Sequence, residues 1–250
     1  MKYIDLTLPT PAENLACDEA LLELCESGGE GELLRFWEPT EHFVVLGYAN
    51  RASVEADLAA CEARKIGVFR RCSGGGTVLQ GPGCLNYSLI LSIADSGPLQ
   101  TIAGTNRFIL ERHKTALQPI LNAEIEIQGC TDLAIHSRAQ RDGVPAALLK
   151  FSGNAQRRKR KFLIFHGTFL LDFSLALIEA VLPMPSRQPD YREQRSHTRF
   201  LTNLGLPAGD IKRAFREAWG ASEIREDIPV EAIAELVATR YGVADWNFRF

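Results

Sequence analysis

The sequence contains no stretch approaching the roughly 18 uninterrupted apolar residues of a membrane helix, so no membrane partner is expected. Residues Met1 to Thr10 carry one lysine and no apolar block followed by small residues, which excludes a signal peptide as a reading of that segment. A cytoplasmic location is the expectation. A basic excess is missing too. The 28 Lys and Arg stand against 31 Asp and Glu, a net charge of −3, whereas chains that bind phosphate backbones usually show the opposite balance. No nucleic-acid partner is expected. Six cysteines, at 17, 25, 61, 72, 84 and 130, form no CxxC pair and no Cys/His ligand spacing, so neither a disulfide framework nor a structural zinc is read. Fixed-period repeats and low-complexity linkers are also absent.

What is present is ordinary globular composition, 46% hydrophobic and 24% charged, over 250 residues. That length suits one large domain able to bury a core without covalent staples. Lys2 to Leu8 alternates as a strand does. Thr10-Pro11-Ala12-Glu13 reads as a helix start, with Thr as N-cap and Pro in the first turn, and the helix runs to about Cys25 with Leu15, Leu21, Leu22 and Cys25 facing inward. Strands are expected at Leu33 to Trp37, Phe43 to Leu46, Val68 to Arg71, Asn86 to Leu91, Glu124 to Ile127, Asp132 to Ile135, Ala146 to Phe151 and Leu163 to Leu171. Arg141-Asp142-Gly143 is a hairpin-turn signal. Helices are expected from a cap at Ser53 to about Lys65, from Gln100 to Leu121, at Ser174 to Leu182, Ala208 to Ala218 and Pro229 to Tyr241. Runs of strands with helices between them favour an α+β fold, a mixed β-sheet core flanked by helices.

Four segments are candidates for chemistry. In Arg70-Arg71-Cys72-Ser73-Gly74-Gly75-Gly76-Thr77, three glycines weaken any strand they sit in, so a close approach of ligand to backbone is one reason for them. The two arginines offer permanently charged forks for phosphate or carboxylate. A plain glycine turn with solvated arginines would show the same letters. No Gly-Lys-Ser/Thr follows, so this is not a P-loop, and the spacing does not fit a dinucleotide fingerprint. In Lys150-Phe151-Ser152-Gly153-Asn154-Ala155, a lysine sits in an apolar run, where its ammonium needs an anionic partner or must shed its proton. It could neutralise charge on an acyl phosphate, or simply snorkel at a sheet edge. In Phe165-His166-Gly167-Thr168, a lone histidine between apolar runs reads first as a hydrogen-bonded core residue. The run Arg157-Arg158-Lys159-Arg160-Lys161 reads as a solvated loop, with a docking patch or a pyrophosphate sink as the alternative.

Together and in this order, Arg-Arg-x-Ser-Gly-Gly-Gly at 70–76, Gly-x-x-Asp-Leu at 129–133, Lys-x-Ser-Gly-x-Ala at 150–155, His-Gly-Thr at 166–168 and Trp-Asn-Phe at 246–248 resemble the lipoate–protein ligase A family and its biotin/lipoate ligase superfamily. The resemblance implies a mixed sheet flanked by helices, spanning residues 1–250 as a single catalytic domain without the small accessory domain of many bacterial relatives. It implies condensation of lipoate, or octanoate, with ATP to an acyl-AMP, then transfer to a lysine of an acceptor lipoyl-domain protein or a glycine-cleavage H-like protein. Magnesium would arrive with ATP, and no permanently bound cofactor or metal cage is implied.

Carried over residue by residue, Lys150 would touch the acyl carbonyl and the α-phosphate. Arg70, Arg71, Ser73 and the turn Gly76-Thr77-Val78-Leu79 would hold the nucleotide. Gly74 and Gly75 would shape the acyl slot beside His166 and Gly167, and Asp132 would lie close to the adenylate. The segment Met184 to Arg199, with arginines at 187, 192, 195 and 199, resembles an adenylate-binding lid. Gln80-Gly81-Pro82-Gly83 stands where many ligases carry His-Asp and resembles the octanoyltransferase branch instead. Without the accessory domain, the resemblance implies a separate accessory subunit as a partner. Two alternatives stay open: a cysteine-dependent octanoyl or lipoyl transferase working through a thioester on Cys130, with Cys72 and Cys84 as weaker candidates, and a non-catalytic protein that binds the acyl-adenylate.

Overall fold

The structure, a computed structural model, describes residues 1–137 and 147–250. The chain opens with β1 (Lys2–Asp5), α1 (Pro11–Glu26) and β2 (Leu33–Trp37). The start of α1 is fixed as its sequence requires. Thr10 accepts from the Glu13 amide at 3.2 Å, and the Glu13 carboxylate accepts from the Thr10 amide at 2.9 Å, so two otherwise orphaned donors are satisfied reciprocally. Next come β3 (Phe43–Leu46), α2 (Ala52–Glu55), α3 (Leu58–Ala63), β4 (Gly67–Arg70), β5 (Val78–Gln80) and β6 (Cys84–Ser92). After α4 (Ile102–Leu117), four strands run in succession: β7 (Ile125–Gln128), β8 (Asp132–His136), β9 (Leu148–Arg158) and β10 (Phe162–Leu170). The remainder is α5 (Leu175–Val181), α6 (His197–Phe200), α7 (Ala208–Trp219), β11 (Glu223–Ile224), α8 (Val230–Leu236) and α9 (Ala244–Asn247).

Among the described residues eight strands form one sheet in the order β11-β1-β2-β6-β10-β9-β8-β7, and β4-β3-β5 form a second. β1 pairs in parallel with β2 and β11, while the run from β2 to β7 is antiparallel. One face of the large sheet packs Phe36, Tyr87, Phe165 and Phe169 under Ile109 and Leu110 of α4 and Phe215 of α7. The opposite face packs Ile90 and Ile164 under α1, whose Leu15, Leu21, Leu22 and Cys25 are all buried, together with Ile233 and Tyr241. Val44, Leu79 and Ile178 join a third cluster between the small sheet and α5. The fold is α+β, a mixed sheet flanked by helices.

Several boundaries differ from those read in the sequence, each for a local reason. The helix expected from Ser53 to Lys65 is two short ones, because Asp57 caps α3 by accepting from the Ala60 amide at 2.8 Å. The helix expected from Gln100 begins after Thr101, whose hydroxyl accepts from the Gly104 amide. β1 ends at Asp5, short of Leu8, and the helical stretch after Pro229 passes from α8 into a wider turn at Val237–Tyr241. The short strands β5 and β11 had no alternation long enough to announce them. Arg141-Asp142-Gly143 and the start of the strand expected at Ala146 lie outside the described residues.

β9 carries the largest departure. It continues from Lys150 through the first two residues of the basic run, so Arg157 and Arg158 are strand residues rather than loop. Their guanidinium groups bond protein oxygens: Arg157 donates to the Cys72 carbonyl at 2.7 Å, and Arg158 to Thr105 Oγ1 at 3.0 Å and the Leu99 carbonyl at 2.5 Å. Lys159 pairs with Glu23, and Glu26 accepts from the amides of Arg160, Lys161 and Phe162. Much of the run is therefore a staple onto α1 and α4.

Candidate active site

The register of β9 explains where Lys150 goes. Leu133 of β8 pairs with Ser152, but the next residue, Ala134, pairs with Lys150, so Phe151 is an extra residue on its strand. Such a bulge re-aims the side chains before it. Phe151 enters the core beneath α4 and α7 fully buried. Lys150 is turned to the face that also carries Asp132, Gly153 and, across β10, Thr168 and His166. With strict alternation, Lys150 and Ser152 would share a face and the ammonium would enter the core.

On that face the Lys150 amine meets Asp132 Oδ1 at 2.7 Å. The Tyr191 hydroxyl donates to the other oxygen, Asp132 Oδ2, at 2.8 Å. A side chain at Gly153 would reach the Lys150 amine at 2.7 Å, so the glycine of Lys-Phe-Ser-Gly keeps the space over which Lys150 lies. Gly167 is tighter still. A Cβ there would meet Asn154 Oδ1 at 1.8 Å, and that carboxamide accepts from the Tyr87 hydroxyl at 2.6 Å and donates to the Thr131 carbonyl at 2.7 Å. Asn154 thus holds the turn between β7 and β8, in which Cys130 lies.

The glycine turn lies against the same strands, since a Cβ on Gly75 would touch Ala155 at 3.5 Å. Arg71 shapes it from within. Its Nη2 donates to the carbonyls of Gly74 at 2.6 Å and Gly76 at 2.8 Å, and its Nε to Ser73 Oγ and the Gly74 carbonyl, both at 3.1 Å. Burial lowers the Arg71 pKa to about 10. Ser73 and His166 Nε2 are 2.6 Å apart. Burial first, and the nearby Arg71 charge second, lower the His166 pKa to about 3, so at neutral pH the ring is uncharged and can accept the Ser73 proton.

Of the three glycines only Gly75 has a positive φ, +91°, and a Cβ on it would sit 2.8 Å from the Arg71 guanidinium. Gly74 and Gly76 have nothing within 4 Å of a would-be Cβ. Their bare backbone faces open space, which is what close approach of an acyl or phosphoryl group requires. Thr77 donates to Asn50 Oδ1 at 3.3 Å, and Val78 and Leu79 enter β5 against β3.

Arg70 is positioned differently from Arg71. It is fully buried and donates to five carbonyls: Gly47, Tyr48, Asn50, Trp246 and Asn247. It therefore joins the turn at 47–50, whose Tyr48 amide bonds the Ser73 carbonyl, to the Trp-Asn-Phe segment. A Cβ at Gly47 would lie 2.1 Å from the Gly75 carbonyl, so this turn backs directly onto the glycine loop. Sequence reasoning passed over Gly47 and Asn50. Their signal was the Gly-Tyr-Ala-Asn turn pattern itself.

Among the six cysteines, Cys130 is exposed and the other five are buried. Burial pushes Cys17 to about 11 and Cys25, Cys72 and Cys84 to about 12, far from the thiolate a nucleophile needs. In the segment resembling a lid, Arg192 and Arg195 bond the loop's own carbonyls and lie over the Phe200 ring, at 4.8 and 5.3 Å from its centroid. Arg187 and Arg199 are exposed. An open recess of about 640 Å³ flanks this segment, lined by Glu179, Arg195, Thr198, Arg199 and neighbours, and neither Lys150 nor His166 lines it. Among the described residues no helix is long and apolar enough to cross a membrane.

Residues 10–215 match the family model described as the lipoyl protein ligase A/B catalytic domain. The chain is 25% identical over 272 residues to "Octanoyltransferase LipM" of Geobacillus kaustophilus, covering 99% of this chain and 98% of that one. It is 26% identical over 260 residues to "Probable lipoate-protein ligase A" of Mycoplasma pneumoniae, covering 99% of this chain and 72% of that relative. Among solved structures it superposes with a TM-score of 0.80 on the bi-partite lipoate protein ligase of Thermoplasma acidophilum, at 23% identity, covering 99% of this chain and 95% of that one. The match over most of the chain, on a fold shared with lipoate ligases, settles the family: this chain belongs to the lipoyl protein ligase A/B catalytic domain family.

Proposed function

We propose that this chain is a lipoate–protein ligase, which activates lipoate or octanoate with ATP and transfers the acyl group to a lysine of a lipoyl-domain acceptor. The observation that carries this reading is the Lys150 amine, held by Asp132 on the strand face that the glycine turn also packs against. In the first half-reaction the acid's carboxylate attacks the α-phosphorus of ATP and pyrophosphate leaves. In the second, the acceptor amine attacks the acyl carbonyl, AMP leaves with the bonding pair, and the amine proton passes to solvent. Negative charge moves between carboxyl and phosphate oxygens in both steps. A fixed ammonium and bare backbone donors stabilise it without having to reorganise. Gly74 and Gly76 leave room for that approach. In this reading magnesium comes with the nucleotide and is held by its phosphates. The acceptor is proposed from the Thermoplasma ligase, described together with its E2 lipoyl domain. Its bi-partite nature makes a separate accessory subunit part of the proposal.

A second reading is favoured by one observation. Cys130 is the exposed thiol of the six, in the turn that leads into Asp132, and relatives of matching length bear the name octanoyltransferase. In that case the thiolate takes the acyl group from a carrier thioester, releases the carrier thiol, and then yields the acyl group to the acceptor lysine.

Pyrophosphate release from ATP, with and without lipoate, tests the first reading beside Lys150→Ala and Cys130→Ser. Lipoate-dependent release that survives Cys130→Ser supports the ligase, and an acyl mass on Cys130 without any release supports the transferase. Full transfer by Lys150→Ala would remove the assignment of Lys150 under either reading.

A further inference from the structure

Asp132 receives donors from two directions. The Lys150 amine on β9 occupies Oδ1 at 2.7 Å, and the Tyr191 hydroxyl occupies Oδ2 at 2.8 Å. Tyr191 does not belong to the strands that carry the pair. It sits in the short turn Asp190–Arg192, within the segment rich in arginine and proline. That turn has its own anchorage. The Tyr191 ring lies 5.1 Å from the Phe200 ring, and Arg195 donates both to the Tyr191 carbonyl at 2.6 Å and to the Leu148 carbonyl of β9 at 2.9 Å. The turn between β7 and β8 is cut away to receive it. Gly129, at φ +55°, would with a Cβ stand 3.3 Å from Pro189 and 3.8 Å from Tyr191.

A carboxylate bonded only to the end of a lysine is poorly oriented, because both partners rotate. A second donor on the other oxygen removes the carboxylate's freedom and with it much of the lysine's. We infer that Tyr191 is a positioning residue for acyl transfer: by holding Oδ2 of Asp132 it fixes the oxygen that carries the Lys150 amine, so the geometry of the cation depends on the Met184–Arg199 segment being seated. This deepens the proposed function and rests on Lys150 being the residue that meets the activated acyl group. Burial, and after it the Asp132 charge, push the Tyr191 hydroxyl well above its ordinary range, so it remains a neutral donor that does not compete with Lys150 for the charge of Asp132.

Tyr191→Phe is the test, because it keeps the ring on Phe200 and beside Gly129 and removes only the hydroxyl. Acyl transfer to a purified lipoyl-domain acceptor is measured with whichever donor the wild-type chain turns over. The expected result is a kcat lower by about tenfold, with the donor KM within about twofold, the loss of one charge-assisted bond felt at the reacting centre. The melting temperature falls by roughly 3–12 °C, as the loss of one charge-assisted bond requires, and transfer is read well below it. In an Asp132→Asn background the same change adds no further loss, since Tyr191 acts through that carboxylate. An equal further loss in that background would overturn the inference, and so would a rise in KM alone, which would make Tyr191 a donor contact. A fall in melting temperature in place of the fall in kcat would reduce it to a structural bond and overturn it as well. Full activity of Lys150→Ala, a separate result, would sink the functional reading and this inference with it.

Discussion

The three adjacent glycines of the loop should separate cleanly when each is changed to alanine. Gly75 has φ +91°, where an L residue is held at a cost of roughly 1–2 kcal/mol. Its new methyl would also stand 2.8 Å from Arg71 Nη2. The guanidinium would have to move away, although Nη2 bonds the carbonyls of Gly74 and Gly76 at 2.6 and 2.8 Å. Losing one such charged bond costs about 1.5–3 kcal/mol. The sum, about 2.5–5 kcal/mol, corresponds to a fall in melting temperature of roughly 5–20 °C for a chain of this size. Gly74→Ala meets nothing within 4 Å and needs no positive φ, so its stability should stay within about 0.5 kcal/mol of wild type. Urea unfolding gives the two free energies, and acyl transfer on the same samples gives the second half of the contrast. Gly74→Ala should fold normally yet transfer slowly, because its methyl fills the space an acyl group would enter. Equal stability for the two variants would refute the assignment of strain to Gly75. Full transfer by Gly74→Ala would refute the role of bare backbone at that position.

Arg70→Met removes the donor shared by five main-chain carbonyls and should destabilise by about 3 kcal/mol or more, since buried acceptors are left unpaired; a loss under about 1 kcal/mol would show that water replaces it. A thiol reagent applied to the native protein should add one mass increment, at Cys130, and none to Cys130→Ser, because the other five cysteines are buried; rapid labelling of two or more sites would contradict that burial. His113 is fully buried, and burial first, Arg112 second, lower its pKa to about 3. The unfolded chain therefore takes up this proton first. The contribution is fully present above the ordinary value of about 6.5 and is lost as pH falls towards about 3. His113→Phe should flatten the acid side of the stability curve by about 1.4 kcal/mol per pH unit between roughly pH 6 and 4, and an unchanged slope would place the titration elsewhere.

Legibility followed the range of the interactions involved. The capping box at Thr10 and Glu13 is local, and its letters announced it. The strand periods placed most of β2, β3, β8 and β10. The bulge at Phe151 was invisible, because it is a relation between β9 and β8, and nothing in Lys-Phe-Ser marks which residue goes unpaired. The basic run misled for a similar reason. Five adjacent cations read as solvent-facing, yet two bond oxygens of Cys72, Thr105 and Leu99, far away in the sequence. At the site, the resemblance drew Lys150, Asp132, Ser73 and His166 from separate motifs, and these meet as two bonded pairs. Tyr191 and Asn154 went unnoticed because a tyrosine in a loop and an asparagine in a strand carry no pattern until their partners are known.

The clamp at Arg70 also has a temporal meaning. Its carbonyl partners at Trp246 and Asn247 lie 176 and 177 residues downstream. At a synthesis rate of about 5–20 residues per second, roughly 9–35 s pass on the ribosome between the arginine and its last acceptor. During that interval the strand leading into the glycine loop holds a charged fork without its full set of acceptors. The site is thus among the last parts of the fold to be finished, and a nascent chain cannot complete its loop before residue 247 has been made.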